Sequence, residues 1–114
     1  MRHRKKKHLR GPRDRRRKEL RALATALFLR ERIETTNARA RITKSFSEKL
    51  ITKGKKPGLI ALRALKRDLP INAVMKVLEV LGPRYSTRNG GYTRIIHTGT
   101  YKDGTKKVIL ELLK

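Results

Sequence analysis

Cysteine and tryptophan are absent from this 114-residue sequence, and the aromatics are limited to three Tyr and two Phe. Without cysteine, neither a disulfide framework nor a thiolate metal site can form. Acidic residues are also scarce, with 9 Asp and Glu against 32 Lys and Arg, which leaves a net charge of +23 and a pI near 11.6. That imbalance argues against an ordinary neutral enzyme and for a polyanionic partner, because such a surface repels itself when free. Long apolar runs are missing too. The longest, Ala22 to Leu29, includes Thr25 and falls far short of the ~20 residues needed to cross a bilayer. No signal peptide is expected, so the chain should stay in the compartment where it is made. What remains is 37% hydrophobic residues, chiefly Leu, Ile, Val and Ala. That is enough for one small core and one domain.

The charge is concentrated at the start. Residues 1 to 18 carry Arg2, Arg4, Lys5, Lys6, Lys7, Arg10, Arg13, Arg15, Arg16, Arg17 and Lys18 against the single acid Asp14. Leu9 is the one aliphatic residue after Met1, so this stretch has nothing to bury. Residues 1–13 are therefore expected to be an extended basic arm, and residues 14–114 a single globular domain.

Beyond Pro12, Asp14 is a candidate helix cap, and Leu20, Leu23, Ala24, Leu27 and Glu31 fall at helical spacing. The first helix is expected from about Asp14 to Glu31, followed by a short extended piece, Arg32 to Thr36, rich in β-branched residues. Thr36 or Asn37 then caps a second helix whose apolar ladder is Ala38, Ile42, Phe46 and Leu50. Lys53 to Gly58 has the composition of a turn. A brief helix over Leu59 to Lys66 follows. The next, opened by Asp68 and Pro70, turns Ile71, Val74, Met75, Leu78 and Leu81 inward and closes at Gly82-Pro83. Tyr92 to Thr98 and Lys107 to Leu113 flank Asp103-Gly104, a strong hairpin signal. The expected fold is α+β, with three to four helices packed on a small mixed or antiparallel sheet.

Catalytic chemistry is hard to assemble from these residues. His3 and His8 lie in the arm, and His97 falls in an expected strand, where half-burial suits it better than a general-base role. The acids Glu31, Glu34, Glu48, Glu79 and Glu111 each have Lys or Arg nearby, as solvated ion pairs would. No phosphate-binding glycine loop precedes a helix. No enzyme activity, metal or cofactor is expected.

Nucleic-acid binding fits better, and three features would supply the contacts. The first is the arm: Arg2, His3, Arg4, Lys5, Lys6, Lys7, Arg10 and Arg13, running into Arg15, Arg16, Arg17 and Lys18. The second is the basic side of the second helix, Arg39, Arg41 and Lys44. The third is the stretch from Gly82 to Arg94, where Arg84, Arg88 and Arg94 alternate with Tyr85 and Tyr92 around Gly90-Gly91. Arg binds phosphate bidentately, Tyr can stack on an unpaired base, and paired glycines let backbone amides approach a sugar-phosphate. The competing account of Tyr85 is core packing beside Pro83, and that of Gly90-Gly91 a tight turn into the hairpin. RNA is favoured over DNA because no helix-turn-helix or zinc-finger spacing is present. A nucleoid-type DNA-packaging protein is the alternative with the same charge balance.

The sequence resembles the bacterial large ribosomal subunit protein seventeen family over nearly its whole length. The likeness rests on Met1-Arg2-His3-Arg4-Lys5, on Leu23-Ala24-Thr25, on Arg32-Ile33-Glu34-Thr35-Thr36-Asn37-Ala38-Arg39-Ala40-Arg41, and on Gly82-Pro83-Arg84-Tyr85 with Arg88-x-Gly90-Gly91-Tyr92-Thr93-Arg94-Ile95. It departs from the family pattern at Lys7 to Pro12 and Arg15 to Arg17, and its 53–70 segment looks short. The resemblance implies a cytoplasmic, structural, rRNA-binding protein, one copy per ribosome, near the polypeptide exit tunnel. It further implies neighbouring large-subunit proteins as partners, with no membrane and no small-molecule substrate. It would place Thr35, Thr36, Arg39 and Arg41 at a strand-to-helix corner, and Arg84, Arg88, Gly90, Gly91, Tyr92 and Arg94 in an RNA-facing loop.

Overall fold

Four helices and three strands make up the fold in a computed structural model that describes residues 11–56 and 58–114. Helix α1 spans Arg13–Arg30. Its N-cap is Pro12 rather than Asp14, and no side chain caps its amides. Asp14 instead sits within the first turn, where its charge favours the helix dipole and moderates the surrounding cations. The helix ends at Glu31, a left-handed residue with φ 66° whose N–H returns to the Leu27 carbonyl at 2.7 Å. A side chain there costs about 1–2 kcal/mol.

Strand β1, Arg32–Thr36, follows at once and leads into α2, Asn37–Gly54. Thr36 is the cap, its hydroxyl accepting from the Arg39 N–H at 3.3 Å. The inward side of α2 differs from the expected ladder. Ala40, Thr43, Ser47, Leu50, Ile51 and Gly54 are buried, Ile42 and Phe46 are half-buried, and Ala38 is exposed. Small residues face inward because other helices cross closely there. A Cβ on Gly54 would stand 2.5 Å from Val77 Cγ1. Helix α2 runs through Gly54 instead of turning at Lys53.

Helix α3, Gly58–Lys66, buries Ala61 and Leu65. Helix α4 starts as Ile71–Lys76, widens into a π turn over Val77–Leu81, and continues through Gly82–Arg84. It therefore does not close at Gly82-Pro83. The Gly82 N–H reaches the Val77 carbonyl, and this wider turn spares Pro83 the clash its ring would make with a carbonyl four residues back. The inward residues of α4 are Ala73, Val74, Val77 and Leu81, whereas Ile71 and Met75 are exposed. Ala73, Val77 and Leu81 fall every four residues on one stripe, and Ile71 and Met75 lie off it.

Strands β2, Thr93–Thr100, and β3, Lys106–Leu112, form the hairpin around Asp103-Gly104. The Thr105 N–H donates to the Asp103 carboxylate at 3.0 Å, which closes the turn and holds that carboxyl below its ordinary range. The sheet is antiparallel throughout, in the order β1-β3-β2. Val108, Leu110 and Leu112 point from the central strand into the helices, with Thr35 and Thr93 beside them. They complete a core with Leu27, Phe28, Leu50, Val77, Tyr85 and Tyr92. His97 is in β2 as expected but is exposed, because the helices cover this edge strand only as far as Ile95.

Candidate nucleic-acid interface

The loop after α4 is built on two buried tyrosines. Tyr85 and Tyr92 are each 1% exposed, with ring centroids 5.0 Å apart. Tyr85 donates its hydroxyl to the Leu113 carbonyl, and burial raises its phenol above the ordinary value. Burial also acts to raise the Tyr92 phenol, but hydrogen bonds with Thr52 and Lys55 outweigh it and leave that group lowered. The Lys55 ammonium donates to the Tyr92 hydroxyl at 3.0 Å and to the Arg88 carbonyl, tying the loop to the end of α2. Base stacking by Tyr85 or Tyr92 is thus not open to the folded domain. Core packing is what these rings do, and the competing account of Tyr85 is the observed one.

The arginines of this segment divide into two kinds. Arg84 is half-buried and donates to the Glu31 carboxylate at 2.5 Å, which Lys76 also reaches at 3.0 Å. These two cations hold the Glu31 carboxyl down to about 2, and Glu31 in turn raises Arg84. Arg84 is consequently a structural cation. Arg94 is exposed but pairs across the sheet with Glu111. Arg88 is exposed and has no carboxylate partner among the described residues. Its guanidinium donates one long hydrogen bond, to the Gly91 carbonyl at 3.5 Å. Gly90 and Gly91 adopt φ of 123° and 62°, with open space where a Cβ would stand. That conformation meets the needs of a tight turn while keeping the backbone approachable.

On α2, Arg39 pairs with Glu19 of α1 at 2.9 Å, while Arg41 and Lys44 face a cleft. Thr35 is buried in the sheet and Thr36 serves as the helix cap, so neither hydroxyl is directed to a ligand. Arg13, Arg15, Arg17 and Lys18 are exposed along the first turns of α1, and Arg16 is partly buried. Arg2, His3, Arg4, Lys5, Lys6, Lys7 and Arg10 lie outside the described residues.

The cleft joins two of the expected features. Its volume is about 580 Å³, and Arg41, Lys44, Lys49, Lys53 and Lys56 line it together with Gly90 from the loop. The acid in its wall, Glu48, accepts from the Thr93 N–H and hydroxyl at 3.2 and 3.1 Å. Five cations therefore face the cleft against one carboxylate already engaged, an arrangement suited to phosphodiester oxygens. Lys49, Lys53 and Lys56 escaped the sequence reading of the site. Their signal was present as cations continuing at helical spacing past Lys44, and the expected turn at Lys53 concealed it. Among the described residues there is no metal-binding cluster, and no helix is long and apolar enough to cross a membrane.

Comparison with known proteins gives a consistent result. Residues 19–113 match the family model of ribosomal protein L17. The chain is similar to large ribosomal subunit protein bL17 of Endomicrobium trichonymphae, with 46% identity over 80% of this chain and 79% of that protein. The bL17 protein of Symbiobacterium thermophilum is 47% identical over 82% of this chain and 84% of its own length. That of Clostridium beijerinckii is 46% identical over 90% and 92%.

Proposed function

From the finding that the chain belongs to the ribosomal protein L17 family, we propose that it is a structural constituent of the large ribosomal subunit. It binds folded rRNA by neutralising phosphates and works as a scaffold without a catalytic step. The observation that carries this reading is the convergence of Arg41, Lys44, Lys49, Lys53 and Lys56 with the Gly90 backbone on one cleft. Arg88, the arm residues Arg2, His3, Arg4, Lys5, Lys6, Lys7 and Arg10, and Arg13, Arg15, Arg16, Arg17 and Lys18 at the start of α1 add phosphate contacts to it. Neighbouring large-subunit proteins complete the setting, in the cytoplasm and, as the resemblance implies, near the polypeptide exit tunnel. A DNA-packaging role draws no support from relatives that are large-subunit proteins.

The test is to fractionate a lysate of the source cells on a high-salt density gradient and quantify the chain by mass spectrometry. One copy per large subunit, retained through the salt wash, is the expected result. Recovery with DNA, or free at the top of the gradient, would overturn the reading.

A further inference from the structure

The cleft beside α2 uses none of the cations at the end of the sheet opposite the hairpin turn. There a second concavity, of about 760 Å³, is lined by Arg30, Arg32, Arg88, Arg94 and Lys114 with Glu31 and Glu111. They come from three separate stretches of chain, 30–32, 88–94 and 111–114, and the fold brings these together. Arg30 ends α1, Arg32 opens β1 and Lys114 follows β3, while pairing registers Arg32 and Arg94 on either side of Glu111. Both acids are engaged. Glu31 holds Lys76 and Arg84, and Glu111 holds Arg94. Arg30, Arg32, Arg88 and Lys114 are all exposed and have no carboxylate within ion-pair distance among the described residues. Three of these four are Arg, the side chain whose fork matches two phosphate oxygens at once.

The geometry points to a second RNA-backbone cleft at the end of the sheet opposite the hairpin turn, occupied by a different phosphodiester segment from the one against α2. The domain then clamps two RNA segments, with the 88–92 loop between them. Two features favour two segments over one continuous track. The clefts share no cation, since Gly90 and Tyr92 face one and Arg88 the other. The loop that divides them is anchored by buried Tyr92 and by the Lys55 bonds, so it stands as a wall. This inference rests on the rRNA-binding reading proposed above.

The test mixes the full chain, at limiting concentration, with two RNA hairpins carrying donor and acceptor dyes. Energy transfer reports simultaneous capture, and the anisotropy of each hairpin alone reports simple binding. Three triple variants are compared after circular dichroism shows them folded: R30Q/R32Q/R88Q, K44Q/K49Q/K53Q, and the charge-matched R63Q/K66Q/R67Q outside both clefts. Each cleft variant is expected to bind one hairpin but to weaken capture of the second on the order of ten-fold, as loss of several phosphate contacts implies. The charge-matched variant should retain transfer. Equal transfer in R30Q/R32Q/R88Q and in the charge-matched variant, whether high or low, would overturn the second cleft. Binding without transfer by the unaltered chain would do the same. Failure of the unaltered chain to bind either hairpin would instead overturn the rRNA reading itself.

Discussion

Glu31 ties the end of α1 to α4 through one side chain. It ends α1 in the left-handed conformation, and its carboxylate gathers Lys76 and Arg84 from α4. Because its carboxyl is lowered to about 2 from an ordinary 4.5, the stabilisation is complete above about pH 4.5 and disappears as pH falls toward 2. Glu31→Gln should cost about 1–2 kcal/mol near pH 7, allowing for the partial exposure of the pair. Urea unfolding at a series of pH values should show the two proteins converging in stability between about pH 4.5 and 2. A gap that persists at the acid end would mean the cost is steric rather than electrostatic. Thr43 poses the opposite case, a fully buried hydroxyl with no hydrogen-bond partner among the described residues. Thr43→Val removes that unpaired group and should stabilise the fold by about 0.5–1 kcal/mol. Destabilisation on thermal unfolding would show that the hydroxyl has a partner after all.

At the scale of elements, the crossing of α2 with α4 decides the core. Gly54 lets the helices meet, and any Cβ there collides with Val77, a β-branched side chain with little freedom to move. Gly54→Ala should destabilise by about 1–3 kcal/mol through overpacking. Trimming Val77 to Ala in the same chain should recover part of that loss, so the double variant will be more stable than additivity requires. Strict additivity in denaturant melts would place the damage elsewhere. The buried face of α2 is rotated from the expected ladder, sharing Leu50 with it and leaving Ile42 and Phe46 half-buried at its margin. Sequence periodicity weights large apolar residues, and it selected Ala38, Ile42, Phe46 and Leu50. A close crossing rewards small ones, so Ala40, Thr43, Ser47 and Gly54 went inside. In α4 the buried stripe is Ala73, Val77 and Leu81 at four-residue spacing, and large apolar residues again misled the reading, since Ile71 and Met75 lie outside the stripe and the small Ala73 lies in it.

For the whole molecule, the +23 charge sets folding and binding against each other. Self-repulsion destabilises the isolated chain, and salt screens it as the Debye length falls from ~30 Å at 0.01 M to ~8 Å at 0.15 M. The thermal midpoint of the free protein should therefore rise over that range. RNA affinity should fall over the same range, with log K losing roughly 0.7–0.9 per neutralised phosphate for each decade of salt. Scanning calorimetry and RNA titration on one set of buffers would check both. A midpoint that falls with salt would mean that the ion pairs of Glu19, Glu31 and Glu111 outweigh the general repulsion.

The sequence by itself determined the polyanionic partner, the α+β class, the order of elements and the Asp103-Gly104 hairpin. Charge is a sum over residues, and caps, turns and strand propensity act over a few positions. The motifs around Thr35-Thr36 and Gly90-Gly91 were likewise legible as strings and carried the family resemblance. Only the tertiary structure decided which cations remain available. Arg84 and Arg88 look alike in the sequence, yet one is held by Glu31 from 53 positions away while the other meets solvent. Tyr85 and Tyr92 are both candidates to stack on a base in the sequence, Tyr85 with core packing as its competing account, and packing buries both. Long-range pairing and close packing depend on which distant residues arrive at the same place, and no local pattern specifies that.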